Sequence, residues 1–150
     1  MNSYPLRGEI WWISLDPTKG SEIKKTRPCL VLSKDEYNKA ASTITIIPIT
    51  SGNARYPAWE VEVGKNEGLT ISHLVLPQIR VAAKERLQTR IGKIDHRLFS
   101  EIEEKLFIYL GFLNPGAISG TVGGTGITMG GGAFTTTTFS AGSLSGSTFP

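Results

Sequence analysis

Arg7-Gly8-Glu9-Ile10-Trp11-Trp12, followed by Gly20-Ser21-Glu22 and then Thr26-Arg27-Pro28, reads as a strand that ends in a charged loop, with an arginine set at the foot of the next strand. Pro28 locks its own φ and biases Arg27 toward extended backbone, so that guanidinium is aimed rather than loose. Lys24 and Lys25 crowd the same loop. An aimed arginine beside lysines suits a phosphate, because the planar guanidinium fork meets two phosphate oxygens at once.

Working outward, the apolar run 9–15 closes on Asp16-Pro17-Thr18-Lys19-Gly20, and the Leu- and Val-rich run 28–33 closes on the polar turn Lys34-Asp35-Glu36. Residues 43–49 begin by alternating Thr and Ile and contain Pro48, the mark of an edge position or a bulge. In 58–63, Trp59, Val61 and Val63 fall on one face, and Glu60 and Glu62 on the other, read as solvated. At least two of Trp11, Trp12 and Trp59 are expected in the core. Residues 74–79, and 88–94 after a turn at Lys84-Glu85, supply the last strands. Five or six short strands with polar connections predict a mainly β fold, a small closed or half-closed antiparallel barrel. Asp95 then caps a helix. Its Phe99, Ile102, Leu106, Tyr109 and Leu113 recur at three- and four-residue steps, an apolar face to lie on the barrel, and Gly111 and Asn114-Pro115-Gly116 end it.

With 150 residues the chain has room for one ordinary domain. Sixteen Lys+Arg against thirteen Asp+Glu give a net charge of +3, a basic bias compatible with nucleic acid without singling it out. The lone Cys29 excludes an internal disulfide or a cysteine-rich zinc site, and its apolar neighbours mark it as a buried small hydrophobe. The N-terminal residues lack a signal pattern and no apolar run reaches membrane-spanning length, so the expectation is a cytoplasmic protein away from membranes. Charge stops at Lys105, and from residue 114 the composition turns to Gly, Ser and Thr. The chain therefore divides into a domain over 1–113 and a low-complexity tail over 114–150, whose glycines lose much entropy on ordering. That tail is expected to be disordered.

The usual catalytic signatures are missing. His73 falls at a strand start and His96 on the first turn of a helix, so the two are expected to lie apart. There is no HExxH, no CxxC and no phosphate-binding glycine loop ahead of a helix. What remains is a metal-free, cofactor-free site or no site. RNA allows the former, because its own 2′-OH attacks the adjacent phosphorus to leave a 2′,3′-cyclic phosphate and a 5′-OH end. The protein then has to position the backbone, stabilise phosphoryl charge and assist proton transfer. Arg27 is the first candidate for the charge, and Thr50-Ser51, at the end of the third strand, for a hydroxyl donor.

The blocks Arg7-Gly8-Glu9-Ile10-Trp11-Trp12, Leu15-Asp16-Pro17, Gly20-Ser21-Glu22, Thr26-Arg27-Pro28 and Pro48-Ile49-Thr50-Ser51 resemble, in order, those of the MazF/PemK toxin family. Gln78-Ile79-Arg80 and Arg86-Leu87 resemble its later block, and 95–112 its closing helix. The resemblance covers 6–113. It implies an SH3-like barrel of the CcdB/PemK type with a C-terminal helix. It also implies the toxin of a type II toxin–antitoxin pair: a metal-independent, sequence-specific endoribonuclease acting on single-stranded RNA as a homodimer, blocked by a cognate antitoxin. The family's catalytic Arg and Thr fall at Arg27 and Thr50. The chain departs from the family pattern at Ile23-Lys24-Lys25, and at Pro77, where a carboxylate is common.

On this reading Arg27 stabilises the pentacoordinate phosphorus and Thr50 hydrogen-bonds a phosphoryl oxygen. Glu22 either orients Arg27 or accepts the 2′-OH proton, or is a plain loop carboxylate. Lys24, Lys25, Ser51 and Arg80 contact RNA, and Gln78 meets a base edge. Two other readings stay open: a toxin of the same fold that poisons a protein such as DNA gyrase, and a non-catalytic RNA-binding module.

Overall fold

In the first three strands both the odd and the even residues are apolar, which requires a sheet covered on both sides. The computed structural model describes residues 3–64, 67–114, 125–130 and 133–138. Strands β1 (Glu9–Ser14), β2 (Thr26–Val31) and β3 (Thr43–Ser51) pair antiparallel in sequence order. Ile10, Leu30 and Ile47 bury on one face, and Ile13, Cys29, Val31, Ile44 and Ile46 on the other.

The second face is covered by the sheet itself. β6 (Arg80–Ala83) pairs with the first half of β3, and β7 (Leu87–Lys93) pairs with β1. Only the 3-10 turn Lys84–Arg86 separates them, so the five strands in the order β6-β3-β2-β1-β7 roll round this smaller core, with Trp11, Ile23 and Leu87 at its margin. The first face carries the larger core. β4 (Glu60–Val63), β5 (Ser72–Val75) and the second half of β3 extend the sheet there, with Val61, Val63 and Leu74 buried.

Helix α2 (His96–Tyr109) closes the larger core with Ile102 and Leu106 buried and Phe99 and Tyr109 packed beside them. The Asp95 side chain accepts from Leu98 N at 2.8 Å. At the other end Gly111, at φ +80°, lets Gly111 N reach Ile108 O and Phe112 N reach Phe107 O, a glycine stop that satisfies two terminal carbonyls. Leu113, placed on the stripe by periodicity, lies past the helix end.

Several expectations need correction. Lys34-Asp35-Glu36 opens a short helix, α1 (Asp35–Ala40), instead of forming a turn; Asn38 is buried there, with its amide bonded to the Ser33 carbonyl and hydroxyl. The run 74–79 is not one strand. β5 ends at Val75, a 3-10 turn Leu76–Gln78 follows, and β6 resumes on the same edge of β3 with the register stepped by three residues. Glu60 is not solvated: it is 6% exposed and accepts from the backbone N–H groups of Arg55 and Tyr56. None of the tryptophans is fully buried. Trp12 shares the face of Ile10 but stands two residues nearer the loop and is 39% exposed. Trp59 is 36% exposed against Tyr109, and half-buried Trp11 turns its indole N–H to Glu9.

Within the glycine-rich tail, β8 (Thr125–Gly130) and β9 (Ala133–Thr138) pair as an antiparallel hairpin, a two-stranded sheet of its own. The expectation of disorder covers all of 114–150, so this hairpin departs from it, and the rest of 115–150 lies outside the described residues.

Candidate functional site

Arg27 enters the site from a braced loop. Leu15 N donates to Lys25 O at 3.0 Å, and Lys25 N donates to the Asp16 carboxylate at 3.1 Å. Arg86, in the turn just before β7, donates to the carbonyls of Ser14 and Asp16. Lys25 takes a left-handed φ of +67°, which turns the chain sharply into β2. Arg27 Nε donates to Lys24 O at 3.3 Å, which fixes the plane of the fork. Its terminal nitrogens have no partner among the described residues.

Thr50 comes from the far half of β3. The β2–β3 ladder runs from Val31 and Ile46 to Cys29 and Pro48, and Arg27 and Thr50 each lie two residues past that last pair, still within their strands. Alternation puts both on the face that holds Cys29, at the rim of the smaller core. On the other side of β3, Thr50 pairs with His73 of β5, and His73 in turn with Glu62 of β4. One row of polar side chains therefore crosses three strands, Thr50, His73 and Glu62, and Arg27 stands on β2 past the last recorded β2–β3 pair. The row alongside it, Ile49, Leu74 and Val61, is core. Apart from the Nε of Arg27, no side-chain polar group of Arg27 or of this row has a partner among the described residues.

Other expected site residues fall around the row. The three-residue step between β5 and β6 juts out Gln78, whose Oε1 accepts from Ile23 N at 3.3 Å and so ties it to the Arg27 loop. Arg80 opposes Ile46 on the same face of the sheet. Burial pushes the Cys29 thiol up to about 12 while the Arg80 guanidinium pulls it back, so Arg80 brings a positive charge near Cys29. Lys24, Lys25 and Ser51 are exposed. Glu22 is exposed too, and its Oε2 accepts from Lys19 N at 3.1 Å within the β1–β2 loop. Beyond Ser51, Glu60 anchors the loop that carries Arg55 and Tyr56, with the Arg55 guanidinium 5.5 Å from the Tyr56 ring centre.

The two histidines are separate, as their positions in the sequence indicate. His96 lines a different cleft with Arg7, Lys93 and Glu103. Sequence reasoning gave His73 no role, because its place beside Thr50 depends on the register between β3 and β5, which is set by residues far apart in the chain. Among the described residues no group of three or more His, Cys, Asp or Glu is placed to hold a metal ion, and no helix is long and apolar enough to cross a membrane.

With this geometry in hand, similarity to known proteins is informative. Residues 6–110 match the profile of a family described as PemK-like, MazF-like toxin of type II toxin–antitoxin system. The endoribonuclease MazF9 of Mycobacterium tuberculosis is 36% identical over 111 residues, 69% of this chain and 94% of that protein. The endoribonuclease MazF of Staphylococcus epidermidis is 32% identical over 111 residues, 72% of this chain and 92% of the relative. Among solved structures, MazF of Deinococcus radiodurans superposes with a TM-score of 0.66 at 26% identity, covering 73% of this chain and 99% of that one. A mycobacterial endoribonuclease bound to its cognate antitoxin superposes with a TM-score of 0.62 at 22% identity over 74% of this chain and 99% of that chain, a likeness of fold.

Proposed function

We propose, since this chain belongs to the PemK-like, MazF-like family of toxins of type II toxin–antitoxin systems, that it is the toxin of such a pair and acts as an endoribonuclease on single-stranded RNA. What supports the reading is that Arg27 and Thr50 each lie two residues past the last β2–β3 pair at the rim of the barrel, with the terminal nitrogens of Arg27 unpartnered among the described residues. A phosphodiester laid over this rim meets a guanidinium fork on one side and a hydroxyl on the other. Both strengthen as negative charge builds on the phosphoryl oxygens, which is where such donors accelerate a reaction. The neighbouring 2′-OH is the nucleophile, so the products are a 2′,3′-cyclic phosphate and a 5′-OH end, with no metal or cofactor taking part.

Lys24, Lys25 and Arg80 extend the positive surface along which the backbone runs, and Ser51 and Gln78 flank it with hydrogen-bonding groups. Stacking on exposed Tyr56 would hold unpaired bases, which favours single-stranded over duplex RNA. A homodimer with RNA across the interface, a cognate antitoxin that covers the same rim, and a cytoplasmic location complete the proposal. Residues 1–113 form the toxin domain, with 114–150 as an appended segment.

The test is to incubate purified protein with a mixed RNA pool in EDTA and to sequence new 5′-OH ends, with Arg27→Ala and Thr50→Ala alongside. Ends clustered at one short motif, and lost in both variants while they fold normally, are expected. RNA bound without new ends would select a binding module, and neither binding nor ends a protein-directed toxin.

A further inference from the structure

Cleavage through the 2′-OH needs a group to take its proton, and the residues assigned so far do not supply one. The guanidinium of Arg27 stays protonated, and a threonine hydroxyl is no base. The Glu22 carboxylate lies in the exposed turn, bonded to Lys19 N.

We propose that His73 is the proton acceptor of this site, a catalytic residue beside Arg27 and Thr50, with Glu62 as its positioning residue; the inference rests on the RNA-cleaving reading above. His73 is the direct cross-strand partner of Thr50, on the side away from Arg27. Directly opposed residues on one face of an antiparallel pair hold their Cβ atoms about 4.5–5.5 Å apart. A phosphate over Thr50 therefore has His73 one strand spacing, about 4.8 Å, to one side, with Arg27 on β2, the strand on the other side of β3. The His73 ring is half-buried and neither nitrogen has a partner among the described residues, so both are open to substrate and to a reorienting neighbour.

The charged and titratable groups of the neighbouring elements are these. Glu62 is next in the row on β4, Arg27 stands on β2 beyond Thr50, and Arg55 and Tyr56 lie on the loop that Glu60 anchors. Glu62 and His73 are not bonded to each other in this structure. The carboxylate is one strand away, close enough to take the imidazole N–H as RNA fills the rim. That bond would leave the other ring nitrogen unprotonated and facing the 2′-OH, the arrangement by which a carboxylate fixes an imidazole as a base. In the step, the 2′ oxygen forms its bond to phosphorus as its proton passes to the imidazole. The bond from phosphorus to the 5′ oxygen breaks, and that oxygen takes a proton from water. The imidazolium then returns its proton to solvent.

The experiment is steady-state cleavage of a short RNA holding the mapped motif, over pH 5–9 in EDTA, by wild type, His73→Gln, His73→Asn and His73→Ala, with thermal melts of each. A positioned base contributes about 10²–10⁴-fold, so the variants should lose about that much kcat with KM little changed. The wild-type rise of kcat/KM with pH should flatten. Added imidazole should restore part of the activity of His73→Ala, which a packing role does not permit. Either Gln or Asn cleaving within about threefold of wild type, with the same pH profile, overturns the inference and leaves Arg27 and Thr50 untouched. So does a low but imidazole-insensitive His73→Ala whose pH profile matches wild type. Wild type that yields no 5′-OH ends overturns the cleavage reading itself, and this inference with it.

Discussion

Glu9→Gln changes one atom's chemistry and no shape, and the structure says what it should cost. Glu9 is 7% exposed and serves three fixed donors. Its Oε2 accepts from Leu6 N at 2.9 Å and from the Trp11 indole N–H at 3.0 Å, and its Oε1 accepts from Arg90 Nε at 2.7 Å. A glutamine has one oxygen and one NH₂ to offer, so one side must set donor against donor. The less costly orientation keeps the oxygen on Leu6 and Trp11 and turns the NH₂ to Arg90, whose side chain is 49% exposed and can rotate into water. A hydrogen bond to a charged group contributes about 1.5–3 kcal/mol, and half-exposure of Arg90 argues for the lower end, so the loss is about 2 kcal/mol. For a folded unit of this size that lowers Tm by roughly 8 °C. Glu9→Leu strands all three donors and should cost about twice as much. Thermal unfolding followed by circular dichroism on both variants checks the order and the size. A Glu9→Gln protein that melts within about 2 °C of wild type would show that this network is not what holds the N-terminal segment against β7.

Three further outcomes are expected. Gly92→Ala puts a Cβ 2.7 Å from the Glu67 carbonyl oxygen, a backbone atom that cannot swing away, so a loss of about 1–3 kcal/mol in urea unfolding is expected. Asp95→Ala removes the acceptor for Leu98 N and should cost about 1 kcal/mol by the same measurement, with Asp95→Asn close to wild type. The Cys29 thiol, raised from 9.0 to about 12 by burial, should resist thiol reagents at pH 8 until the protein unfolds. Because its folded pKa lies above the unfolded one, its contribution to stability is intact below pH 9 and is lost as pH rises from 9 toward about 12. Cys29→Ala should therefore flatten the fall in stability across that alkaline window.

Where sequence carried a period, it carried the structure. β1, β2, β3, β7 and α2 are legible because each has enough residues for an alternation or a stripe, and Pro28 announces the fixed Arg27. α1 is not legible, since six residues whose only buried side chain is the polar Asn38 make no apolar pattern. β6 hides in Arg80-Val81-Ala82-Ala83, where a strand of four follows a 3-10 turn. Glu60 looks solvated because the backbone N–H groups it serves belong to a loop that folds over it only in three dimensions. The site shows the same limit. Arg27 and Thr50 stand out by chemistry and by resemblance, whereas His73 and Glu62 are defined by pairings between strands whose offsets no local pattern records.

The pairing of β1 with β7 joins Glu9 to Lys93, the longest span in the barrel. Contacts so distant in the chain form late, because a long loop must close before any of them contributes. Arg27 and the row from Thr50 to Glu62 use only β2 to β5, all between residues 26 and 75. During synthesis the strands that carry the row leave the ribosome before the segment that seals the barrel around them. β7 thus acts as a timer: until it docks on β1 the barrel stays open along one edge, and the row becomes rigid only when nearly all of the barrel has been made.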